Sequence, residues 1–136
     1  MQALTEDDLA WLVTARMVVS DLVRAQLGET VASSIDLSVL QKVLDQGVMA
    51  PDETHKLRCM GVVFGDLLCA GSRFEWRIID DEYGRDLTLG YSGKELNLNV
   101  LTLISKRVAK GDEVDLASMA EWALERAETA DAAEIH

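Results

Sequence analysis

Between Phe74 and Val100 the chain puts apolar residues on alternate positions three times. Phe74, Trp76 and Ile78 are separated by Glu75 and Arg77. Leu87 and Leu89 sit among Asp86, Thr88 and Gly90 and lead to Tyr91, and Leu96, Leu98 and Val100 alternate with Asn97 and Asn99. A period of two sends successive side chains to opposite faces of a strand, so the pattern predicts a three-stranded antiparallel meander with one apolar and one polar face. Glu75, Arg77, Ile79, Thr88, Asn97 and Asn99 take the outward parity. Turns are predicted at residues 80–86 and 92–94, each with a glycine where a positive φ is wanted. So small a sheet cannot stand alone, and helices must cover its apolar face.

Around the meander the period changes to that of helices. Thr5 caps a first helix that opens with Glu6, Asp7 and Asp8 against the positive end of the dipole. Leu4 and Leu9 have the spacing of a hydrophobic staple. Two apolar lines follow, Trp11, Ala15, Val18 and Leu22, and Leu12, Val19 and Val23, giving an arc wide enough for packing on more than one side. Gly28 ends the helix, and residues 29–34 read as a connection without a period. Asp36 caps a second helix with Leu37, Leu40, Val43 and Leu44 as its stripe. Pro51 opens the third, over residues 51–70, which is the most apolar and is predicted to lie on the sheet. Gly61 and Gly65 each cost a helix interior about 1 kcal/mol relative to Ala, so another backbone is expected to approach closely there. After the meander, Leu101, Ile104 and Val108 mark a fourth helix whose last turn carries Lys106, Arg107 and Lys110. Asp115 caps a fifth with Leu116, Met119, Ala120 and Ala123 buried.

The expected fold is therefore α+β: three helices, a three-stranded antiparallel meander, then two helices, in two layers with the helices on one sheet face. A length of 136 residues, with 49% hydrophobic and 27% charged, suits a single domain over 1–136. Residues 1–4 and 129–136 are expected to fray. Apolar runs fall short of the ~20 residues a membrane span needs. The acidic start lacks the basic opening of a signal peptide, so the expected compartment is the cytoplasm.

Charge narrows the partners. The net charge is −11, and its distribution is uneven: Glu6, Asp7 and Asp8 give −3, the chain from Gly111 onward gives −7, and the middle carries −1. Such a balance repels phosphate backbones and argues against nucleic acid as a partner. Cys59 and Cys69 lie ten residues apart in one predicted helix, about 15 Å at 1.5 Å per residue, beyond the reach of a disulfide.

Candidate chemistry is sparse. His55 and His136 have no sequence neighbour that would form a nucleophile–base pair, no Cys/His ligand spacing exists, and no phosphate-binding glycine loop is present. Residues 80–86 hold four carboxylates, Asp80, Asp81, Glu82 and Asp86, without the ligand spacing of a Ca²⁺ loop. Two readings remain. In the first, this turn with Tyr83 and Arg85 is a partner-contact or salt-bridged loop, fastened to Lys106 or Arg107 and accompanied by Glu75, Arg77 and Ile79 on the outer sheet face. In the second, the carboxylates serve a small hydrolase or metal-dependent enzyme.

Leu57-Arg-Cys-Met-Gly61-Val-Val-Phe-Gly65, Trp76, Asp81-Glu-Tyr-Gly-Arg-Asp86 and Ile104-Ser-Lys-Arg107 together resemble a bacterial family of small domains of unknown function, over residues 52–124. The resemblance fits the α+β order and implies no activity, cofactor or catalytic residue. It singles out the acidic turn and the Ser105-Lys106-Arg107 helix together. The function expected is a non-catalytic cytoplasmic interaction module, an adaptor, immunity-like or chaperone-like binder of another protein or of a second copy of itself, without cofactor, metal, nucleic acid or membrane.

Overall fold

In the computed structural model, which describes residues 3–46, 53–82, 84–91 and 96–135, Thr5 starts helix α1 (Glu6–Leu27) through a reciprocal cap. Thr5 Oγ1 accepts from the Asp8 N–H at 3.2 Å, and the Asp8 carboxylate accepts from the Thr5 N–H at 2.8 Å, so two otherwise orphan donors are satisfied. Leu12, Ala15, Val19 and Val23 are buried, and Trp11, Val18 and Leu22 pack half-buried beside them, the wide arc the spacing predicts. Leu9, expected to staple back to Leu4, is instead 51% exposed.

Residues 29–34, read as a featureless connection, contain a short helix, α2 (Glu29–Ala32). Four residues are too few to show a period. Asp36 accepts from the Val39 N–H at 2.9 Å and caps α3 (Leu37–Asp45). The third predicted helix appears as α4 (Thr54–Ala70); its proposed start at Pro51 lies outside the described residues.

The sheet is antiparallel throughout, in the order β1 (Phe74–Asp81), β2 (Gly84–Tyr91), β3 (Asn97–Leu98). The turn expected at residues 80–86 is mostly strand. Asp80 pairs with Arg85 and Asp81 with Gly84, and Gly84 takes a φ of 111°. Apolar alternation stops near Ile79, but the backbone ladder does not depend on apolar side chains and runs on into the charged end. The predicted second turn, 92–94, lies outside the described residues. The third strand is shorter than its alternation implies, because Val100 belongs to helix α5 (Val100–Ala109). Val100, Leu101 and Ile104 are all buried, the spacing of a helix face, and Val100 alone also continues the alternation of Leu96 and Leu98.

Both glycines of α4 mark close approaches, but the backbone expected at each is met only at Gly61, while Gly65 meets side chains. A Cβ on Gly61 would stand 2.7 Å from the Val100 carbonyl oxygen and 3.0 Å from the Leu101 Cα, so α4 and α5 meet backbone to backbone. A Cβ on Gly65 would stand 2.6 Å from the Trp76 ring, so β1 runs beneath α4. Asp66 then ties three elements together. It accepts from Arg16 Nε of α1 at 2.7 Å, from the second Arg16 nitrogen at 2.9 Å and from the Trp76 indole N–H at 3.0 Å. Replacing Asp66 by Ala is expected to cost about 2 kcal/mol, since it strands a buried indole donor and removes charge-assisted bonds. A red shift of tryptophan emission in the folded protein, together with a lower urea midpoint, would register both effects.

The last helix, α6 (Leu116–Ile135), buries Leu116, Met119, Ala120 and Ala123 as predicted, and Ala127 with them. Gln41 of α3 accepts from the Leu116 N–H at 2.9 Å and donates to the Val114 carbonyl at 2.9 Å, fixing where α6 begins. The end expected to fray from Thr129 is helical as far as Ile135. Asp131 accepts from the Tyr91 hydroxyl at 2.7 Å and pairs with Arg73, which holds that stretch against the end of β2.

Candidate functional site

The residues proposed for partner contact fall into three separate settings. At the hairpin end Asp81 and Glu82 are exposed, and Tyr83 lies outside the described residues. Arg85 points to the helix side, where its two terminal nitrogens donate to Asp8 Oδ1 at 3.0 Å and Oδ2 at 2.6 Å. This pair, 77 positions apart in the chain, docks the start of α1 on the hairpin. The Arg85 guanidinium holds the Asp8 carboxyl well below the usual carboxylate range; burial opposes this, and the bonds from Thr5 reinforce it. Arg85 is thus occupied structurally, and Asp8, read only as a dipole-compensating acid, turns out to be its partner. The signal available in sequence was Thr5-x-x-Asp8, which announces the cap but not the arginine.

On the outer sheet face Glu75 and Arg77 form an ion pair with each other along β1, with Ile79 half-buried next in line. Thr88, given the same parity, is buried, and its hydroxyl donates to the Leu98 carbonyl at 2.9 Å. Ile79, Asp81, Gly84, Asp86, Asn97 and Asn99 surround a concavity of about 230 Å³ on this face. Lys106 and Arg107 are exposed at the end of α5. Arg107 borders a different concavity, of about 460 Å³, with Leu103, Glu113, Asp115, Met119 and Trp122. The acidic hairpin and Arg107 therefore line different hollows.

Chemistry on the thiols meets an environment that disfavours it. His55 does have a neighbour one helical turn on, with Nε2 3.8 Å from the Cys59 Sγ, a contact that the i, i+4 spacing on α4 produces and that sequence reading passed over. Cys59 is fully buried, and burial raises its thiol. Cys69 is pushed up to about 11, first by burial and then by the nearby Asp66. Nucleophilic cysteines need the opposite shift. Among the described residues no group of three or more His, Cys, Asp or Glu is placed to hold a metal ion, and no helix is long and apolar enough to cross a membrane.

What the sequence reading did not single out is a line of exposed apolar side chains on α1. Leu9 and Val13 are 51% exposed and Met17 61%, and their spacing of four stacks them along one flank of the helix. Trp122 on α6 is also exposed, at 47%, with the Arg126 guanidinium 5.2 Å from its ring centre.

The architecture defines a two-layer α+β domain, its helices gathered on one face of a short open meander. The chain belongs to the family described as Domain of unknown function (DUF3806), whose model matches residues 36–119, from the cap of α3 to the first turn of α6. Comparison with curated proteins found no match. Among solved structures, a protein from Bacteroides thetaiotaomicron VPI-5482, determined at 1.50 Å, is similar with a TM-score of 0.77 at 16% identity. The likeness covers 90% of this chain and 46% of that one, so this chain spans about half its length. At that identity the likeness concerns the fold.

Proposed function

We propose that this domain is a protein-interaction module that works by binding another protein. The observation that carries this reading is the exposed stripe Leu9, Val13 and Met17. Single exposed apolar residues are ordinary on any surface, but three aligned on one flank make a patch that pays its way only when covered. Covering what remains exposed of each would gain on the order of 1 kcal/mol per side chain. Free Cys59 and Cys69 support work in the reducing cytoplasm. The test is affinity capture from native cells with the wild-type chain beside a variant carrying Leu9→Ser, Val13→Ser and Met17→Ser. The variant is expected to keep its helical circular dichroism and to lose a protein that the wild type retains. Identical captured sets would overturn the reading.

A further inference from the structure

β1 is an outer strand, and the ladder shows which of its backbone groups are already bonded. The bond from the Tyr91 N–H to the Leu96 carbonyl, at 3.2 Å, sets the alternation along β2: Tyr91, Leu89 and Leu87 face β3, and Gly90, Thr88 and Asp86 face β1. Glu75, Arg77 and Ile79 stand opposite that second set and bond inside the sheet. Phe74, Trp76, Ile78 and Asp80 therefore direct their backbone groups outward. Phe74 N–H donates to Ser72 Oγ at 3.2 Å. Among the described residues, no hydrogen bond reaches the backbone of Trp76, Ile78 or Asp80 from outside the β1–β2 pair. Nothing in the strand blunts this edge. All eight residues of β1 pair with β2 in unbroken register, without the proline, lysine or bulge by which edge strands discourage pairing. β3, on the other side of the sheet, is only two residues long.

The order of charges along β1 says which strand fits it. Directly opposed residues of two antiparallel strands place their side chains on the same face, so each position of a two-fold axis along β1 decides which charges meet. An axis at Glu75 sets Glu75 against itself, and one at Arg77 sets Arg77 against itself. One at Ile78 opposes Glu75 and Asp81. One at Ile79 brings Arg77 to Asp81, but it lays the two hairpin ends, each with exposed Asp80, Asp81 and Glu82, alongside each other. An axis at Trp76 avoids all of these clashes. Glu75 of each copy then faces Arg77 of the other, and the acidic hairpin ends point to opposite ends of the joined sheet. On the helix side the same axis sets Trp76 against itself and Phe74 against Ile78, residues that are buried in each chain, so the apolar face runs on across the join.

We propose that β1 pairs with β1 of a second copy, antiparallel about a two-fold axis at Trp76, joining two three-stranded sheets into one. An isologous contact repeats each favourable pair. Glu75 and Arg77, an ion pair along β1 within one chain, become a ring of alternating charges on the outer face, shared by both copies. The two Trp76 residues bond to each other through their backbones, and each Ile78 N–H reaches the Phe74 carbonyl of the other copy. Asp80 lies beyond the paired stretch. The contact uses none of Leu9, Val13 and Met17, so it stands or falls apart from the interaction reading above.

Light scattering after size exclusion is expected to show a dimer for the wild-type chain at micromolar concentration. Glu75→Arg and Arg77→Glu each make both cross-strand pairs repulsive, and each is expected to weaken self-association by about a hundredfold with helical circular dichroism unchanged. Mixed in equal amounts, the two variants again bring opposite charges together at both positions, and the mixture is expected to dimerise. In the wild-type dimer, amide exchange at Trp76 and Ile78 is expected to slow by about tenfold or more relative to the chain diluted to a monomer, with Asp80 unchanged. A wild-type monomer throughout the micromolar range overturns the proposal, as does a dimer in which Trp76 and Ile78 exchange no more slowly than in the monomer. Single variants that dimerise as tightly as the wild type, or a mixture that stays monomeric, overturn the axis at Trp76.

Discussion

Replacing Gly61 by leucine is expected to lower the unfolding free energy by about 3 kcal/mol, at the upper end of what overpacking costs. The neighbours at Gly61 are the Val100 carbonyl oxygen and the Leu101 Cα, at 2.7 and 3.0 Å from where a Cβ would stand. Both are backbone atoms at the start of a helix and cannot swing aside as a side-chain tip would. The two helices must part, and Val100, Leu101 and Ile104, all buried at this seam, lose contact with α4. Gly71 is the control, since a Cβ there meets nothing closer than 3.9 Å and its φ of −99° suits any residue. Gly71→Ala is expected to be neutral or to stabilise by about 0.5 kcal/mol through the unfolded chain. Denaturant midpoints compare the two directly, and an unchanged midpoint for Gly61→Leu would contradict the close seam.

Asp8→Asn is expected to cost about 2 kcal/mol at neutral pH, because it removes the charge from bonds to Arg85 and weakens the cap of α1. The figure is held down by the half-exposed Arg85 side chain, which regains water. The effect depends on pH in a definite sense. The folded state holds the Asp8 carboxyl below its unfolded value of about 3.9. Its contribution is therefore complete above that value and is lost as pH falls toward the folded one. The gap between wild type and Asp8→Asn should be full at neutral pH and narrow steadily below about pH 4. A gap of constant size across that range would mean that the ion pair contributes nothing.

Features decided by local spacing were legible in the sequence. The cap at Thr5, the buried line of α1, the paired glycines of α4 and the stripe of α6 each follow from residues three or four apart. Features decided at long range were not. What Arg85 does depends on Asp8, 77 positions away. Where β3 gives way to α5 depends on the seam with Gly61, since Val100 satisfies either period. The candidate site divides the same way. The outward parity of Glu75, Arg77 and Ile79 was readable, whereas Leu9, Val13 and Met17 were hidden in plain view. Their spacing of four marks a helix flank, but whether that flank is covered depends on how many elements surround α1, and nothing among the described residues covers this one.

The most direct measurement of the central claim, a sheet whose β1 edge is open, is amide hydrogen exchange in the isolated chain. Tyr91 N–H donates to the Leu96 carbonyl at 3.2 Å, so Gly90, Thr88 and Asp86 bond toward β1, and Arg77 and Ile79, which stand opposite Thr88 and Asp86 and are bonded inside the sheet, should exchange slowly. Trp76, Ile78 and Asp80, directed outward, should exchange faster by about tenfold or more, in strict alternation along one strand. Slow exchange at all five positions in a monomer would show the edge already covered.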